Sequence, residues 1–177
     1  GVLCGNDTAL MKAAVEYRKF VGHMISPDDA YRLHTQVQTL MLRFSQQCSN
    51  ASRLAELFNN ETSIGRVWYP GLEQHPTHKE ALKLFGGRGF GGMITIDFKG
   101  SGEEKKERRD KFIKGVAEKI KIVPSLGDPR TMILPVESVW GAKYPEPGML
   151  RLSVGFEEYH ELEDTLIKAL RRDGVTA

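Results

Sequence analysis

Arg151 lies in Met149-Leu150-Arg151-Leu152-Ser153-Val154, where strict alternation sends Leu150, Leu152 and Val154 to one face of a strand and Arg151 and Ser153 to the other. A planar guanidinium projected from a rigid strand offers a carboxylate two parallel donors, which a lysine cannot. Most arginines on half-buried strands are rim charges, so the strand alone does not make a site. The chain then passes into an acidic helix start at Phe156-Glu157-Glu158.

Other chemistry is poorly supported. Gly87-Arg88-Gly89-Phe90-Gly91-Gly92 matches G-x-G-x-x-G, but a dinucleotide site needs a strand before the glycines and a helix after them. Here a helix precedes and a strand follows, so the glycines read as a tight backbone crossover. His75 and His78 flank Pro76 without Cys, Asp or Glu at zinc-ligand spacing, and there is no Gly-x-Ser-x-Gly elbow. Cys4 and Cys48 are far apart and read as reduced thiols.

The elements that must carry Arg151 follow from periodicity. A short strand is expected at Val2-Leu3-Cys4 and a helix from about Thr8 to Phe20. Ser26 is a good N-cap, with Pro27 at the first helical position and Asp28 and Asp29 at the positive end of the dipole. Apolar positions then recur from Ala30 to Phe58, and a helix running uninterrupted from the Ser26 cap to Asn60 would measure roughly 50 Å, so it crosses between domains or contains a kink. Beyond Asn60, strands are expected near 66–69, 93–98, 120–123, 131–134 and 150–154. Helices are expected at 78–85, 101–119 and 158–172. In 93–98, Ile94, Ile96 and Phe98 point inward and Thr95 and Asp97 outward, giving a sheet with one wet face. The charged front half of 101–119 reads as a solvated helix face.

The 177 residues suffice for one or two domains with a real core. A net charge of +2, without a basic stripe carrying interleaved aromatics, argues against nucleic acid. Neither a membrane-spanning run nor a secretory leader is legible, so a cytoplasmic protein is expected. The chain begins with Gly1 and reads as a piece of something longer.

Four segments in order carry a family resemblance: Val67-Trp68-Tyr69-Pro70-Gly71-Leu72 with His75-Pro76, then Gly89-Phe90-Gly91-Gly92-Met93, Ser125-Leu126-Gly127-Asp128, and the Arg151 strand. Together they resemble the C-terminal part of the Cys/Met-metabolism family of pyridoxal-phosphate enzymes, which includes cystathionine γ-synthase, cystathionine and methionine lyases and O-acylhomoserine sulfhydrylases. The resemblance implies an α/β (α+β-like) C-terminal domain of a fold-type I enzyme. Its sheet would be antiparallel or mixed, covered by helices on one side and preceded by a long linking helix. Residues 1–60 would end the large domain and form that helix, and residues 61–177 would bind substrate. Arg151 would hold the substrate α-carboxylate, and Ser125 would approach the same carboxylate.

The Schiff-base lysine of the family follows a Ser-x-Thr element before the place where this chain begins. Residues 1–177 are therefore expected to hold no pyridoxal phosphate and to catalyse nothing alone. The partners implied are a sulfur-containing amino acid, an N-terminal large domain and further copies in a homotetramer. Three departures leave lyase and O-acylhomoserine sulfhydrylase or synthase readings open: Val136-Glu137-Ser138-Val139-Trp140 replaces a Thr-His pattern, Pro124 stands where specificity is often tuned, and Thr35-Gln36 replaces Arg-Gly. A stand-alone oligomerisation domain built on the Ala30–Phe58 seam is the reading from another class.

Overall fold

In a computed structural model, which describes residues 2–144 and 146–171, the chain divides into two compact units, Gly1–Leu40 and Met41–Ala177. The first holds α1 (Thr8–Val21) and α2 (Pro27–Val37). Asp7 caps α1 by accepting from the Leu10 amide, and Ser26 caps α2 by accepting from the Asp29 amide, with Pro27 in the first turn. Neither helix buries a residue. Val2-Leu3-Cys4 forms no strand, since it has no neighbouring strand to pair with. The long apolar periodicity is interrupted: α2 ends at Val37, and α3 (Leu40–Asn60) begins after the turn at Gln38 and Thr39.

The second unit is built on a five-stranded mixed sheet of order β1-β2-β5-β4-β3. The strands are β1 (Ile64–Trp68), β2 (Met93–Phe98), β3 (Lys121–Ile122), β4 (Met132–Pro135) and β5 (Met149–Ser153). All pairs are antiparallel except β3 with β4. Arg151 sits mid-sheet, its strand paired on both sides: Thr95 of β2 and Leu134 of β4 are its register partners. A side chain there is positioned by two ladders at once.

One face of the sheet carries Ile94, Ile96, Phe98, Ile133, Leu150 and Leu152 in a single core with Ala51, Leu54, Ala55 and Phe58 of α3. Phe112 and Val116 of α5 (Gly102–Val116) and Leu162 and Leu166 of α7 (Tyr159–Arg171) close the same core. This arrangement buries the apolar stripe of each helix against the apolar set of alternate strand residues, which is what the two periodicities demand. α4 (His78–Phe85) precedes the glycine-rich segment and stops at Gly86.

The opposite face departs from the wet face expected. Asp97 is 2% exposed, bound by the Lys105 ammonium of α5, and Ser153 is 3% exposed. Arg109, inside the run read as a solvated face, is 3% exposed: it donates to Asp110, to Glu137 and to the Pro147 carbonyl. A buried guanidinium is tolerable only because carboxylates and a carbonyl take up its donors. Apart from the neighbouring Asp110, these contacts join residues 8 to 38 positions apart, beyond the reach of a local pattern.

Candidate functional site

The site forms where two segments around β4 fold over the polar face of β5. Before β4, the turn Ser125-Leu126-Gly127 is fastened twice: Arg151 Nη2 donates to the Ser125 carbonyl at 2.8 Å, and the Gly127 amide donates to Ser153 Oγ at 3.0 Å. Because residues 151 and 153 alternate onto the same face, one strand supplies both fastenings. After β4, the short helix α6 (Val136–Trp140) carries Trp140, whose ring centroid lies 5.7 Å from the Arg151 guanidinium carbon. Tyr144 meets the Trp140 ring edge-on at 6.0 Å.

The structure brings Arg151 and Ser125 together through a contact the sequence did not foresee, since both were expected to approach a substrate carboxylate. Ser125 contributes its backbone carbonyl, while its hydroxyl makes no hydrogen bond among the described residues. No carboxylate of the described residues pairs with Arg151, and its Nε is buried with no acceptor. A half-buried cation with an unused donor and no counter-ion is electrostatically incomplete and favours an incoming anion.

Sequence reasoning missed two contributors. Ser153 was visible as a polar position beside Arg151, but its role as acceptor for Gly127 depends on a loop 26 residues earlier. Trp140 was noticed only as a departure from a family pattern, and the signal that could have found it is an aromatic residue shortly after a strand that pairs with the arginine strand.

Behind the site, Glu157 accepts from the Thr131 amide and hydroxyl, and Thr131 in turn accepts from the Gly155 amide at 3.0 Å. Gly155 is required there, since a Cβ would stand 2.3 Å from the Pro129 carbonyl oxygen. Buried Asn50 of α3 donates to the carbonyls of Gly155 and Glu157, fixing the exit of β5 to the core helix. Elsewhere in the unit, burial pushes the Tyr69 phenol well above its ordinary range, and its hydroxyl donates to the Gly91 carbonyl at 3.1 Å.

The match of the family model for Cys/Met metabolism PLP-dependent enzymes runs over residues 1–171, that is, through both units. The chain belongs to this family. Among curated relatives it is 33% identical to a canavanine gamma-lyase of Pseudomonas canavaninivorans, over 96% of this chain and 43% of that protein. It is 30% identical to an L-methionine gamma-lyase of Fusobacterium nucleatum subsp. polymorphum, over 97% of this chain and 44% of the relative. A solved structure of the O-acetylhomoserine sulfhydrylase of Wolinella succinogenes superposes with a TM-score of 0.77 at 27% identity, covering 91% of this chain and 43% of that one. The chain therefore spans less than half the length of the family members it matches.

Pyridoxal phosphate is the cofactor of the family, and the residues present here do not fit it. A Schiff-base lysine must be held in an enclosed site where desolvation or a neighbouring cation depresses its pKa. Among the described residues every lysine is exposed except Lys105, and the Lys105 ammonium is bound to Asp97. No group of His, Cys, Asp and Glu among the described residues could hold a metal ion, and no helix is long and apolar enough to cross a membrane.

Proposed function

We propose that this chain is the C-terminal portion of a pyridoxal-phosphate-dependent enzyme of sulfur amino-acid metabolism, and that Arg151 holds the α-carboxylate of its amino-acid substrate. The observation that carries the reading is the half-buried Arg151 guanidinium, fixed by the Ser125 carbonyl and lacking a carboxylate partner among the described residues. Ser125 acts through its carbonyl, aiming the guanidinium. In this reading residues 1–60 end the large domain and form the linking helix, and residues 61–177 bind substrate. The cofactor and its lysine belong to the large N-terminal domain, which is absent from this sequence.

A carboxylate captured by a fork of donors is fixed in orientation as well as position, so the bonds at Cα are presented in one direction. A charge-assisted contact of this kind contributes about 1.5–3 kcal/mol. The reaction served is β- or γ-elimination, or γ-replacement, on cystathionine, methionine or a homoserine-type substrate. Lyase and sulfhydrylase readings share the same anchor. The apolar side chains exposed on α1 and α2, among them Leu10, Tyr17, Phe20 and Tyr31, support burial against the large domain and further copies in a cytoplasmic homotetramer.

Arg151→Lys in the full-length enzyme tests this reading. The charge stays and the planar fork goes, so kcat/KM should fall by about tenfold to a hundredfold with cofactor loading unchanged. A rim arginine would tolerate lysine within about 0.5 kcal/mol, and unchanged kinetics would remove Arg151 from the site.

A further inference from the structure

We propose that Trp140 is a specificity-determining residue, which selects among carboxylates held at Arg151 for those with an apolar tail; the inference rests on the carboxylate reading of Arg151. The indole lies 5.7 Å from the guanidinium carbon and remains 38% exposed, so its ring is half of a surface and not part of the core. Next to it Tyr144 keeps half of its surface open, and Leu126, which follows the carbonyl that fastens Arg151, is more exposed still. Arg151 thus has the Trp140 ring beside it, and exposed apolar side chains lie next to that ring and next in sequence to the carbonyl that fastens it.

A carboxylate bound in the guanidinium plane brings the rest of its amino acid within a side-chain length of the indole. The ring face offers dispersion and apolar contact area to that tail, and it offers a polar tail no replacement for the water it leaves. A thioether or alkyl chain loses nothing by leaving water, whereas a terminal amide does. The guanidinium 5.7 Å from the ring centroid also opposes a second cation in the ligand's tail.

The test uses the ¹⁵N-labelled chain and two probes of similar length, L-norleucine with an alkyl tail and L-glutamine with an amide tail, followed through the Gly127 amide signal. L-Norleucine should bind about fivefold more tightly, as expected for modest apolar selection at an open site. In Trp140→Ala the two affinities should converge to within about twofold, while Trp140→Phe should keep most of the difference. The ratio is the readout, because a general loosening of the site weakens both probes alike. Equal affinities in the wild type, or a ratio that survives Trp140→Ala, would overturn the role of Trp140 and leave carboxylate capture standing. No response to either probe would overturn carboxylate capture, and this inference with it.

Discussion

At the scale of single residues, function depends on which donors are already engaged. Arg109 and Arg151 are both held by backbone carbonyls, yet Arg109 is also matched by Asp110 and Glu137, whereas Arg151 has an aromatic ring beside it and no carboxylate among the described residues. The first arginine is a tie between α5, α6 and the turn before β5. The second has no carboxylate partner among the described residues, which is why anion capture is proposed for it. Ser153 decides how firmly the covering turn is held, since its hydroxyl accepts from Gly127 in a nearly solvent-free position. Ser153→Ala leaves that amide without its acceptor, and because Gly127 is exposed the loss is the net worth of one hydrogen bond, about 0.5–1.5 kcal/mol. Thermal denaturation should show this loss, and hydrogen exchange should quicken at Gly127 while the β2 amides change little.

At the scale of elements, the arginine strand is positioned from behind by helices that approach closely. α5 and α7 cross at Gly115, where a Cβ would stand 2.9 Å from the Ala169 Cβ. Gly115→Val therefore overpacks the crossing, with an expected destabilisation of about 1–3 kcal/mol by chemical denaturation, although Val116 and Phe112 on the same helix are untouched. Element identities were largely legible: the caps at Ser26 and Gly86, strand Met93–Phe98 and helix His78–Phe85 all follow from local chemistry. Hidden were the features created by contact between distant segments. Alternation correctly turned Asp97 away from the apolar core, but only Lys105 explains why it is buried. Likewise, no periodicity could reveal that β3 runs parallel to β4, and although the length of the Ala30–Phe58 seam called for a domain crossing or a kink, it did not say that the break comes after Val37.

At the scale of the whole molecule, the two units differ in how much they bury. The sheet unit encloses a core in which Phe58, Phe98, Phe112 and Leu150 are fully inaccessible, while α1 and α2 bury nothing. The family match runs through both units, and the chain spans less than half the length of the canavanine gamma-lyase and L-methionine gamma-lyase it matches. Within the second unit, Arg151 and Ser125 were singled out because both lie in segments resembling the family, while the hydrogen bond from Arg151 to the Ser125 carbonyl was not foreseen. Nor was the Trp140 wall, because the resemblance fails there. The central claim is that Arg151 receives a carboxylate. Its most direct measurement is the Nε–H signal of Arg151, assigned by its loss in Arg151→Lys, during titration with L-methionine and with L-methioninamide, which lacks the carboxylate. A saturable shift with L-methionine and none with the amide is the predicted result; an unmoved signal, or equal shifts with both, would contradict it.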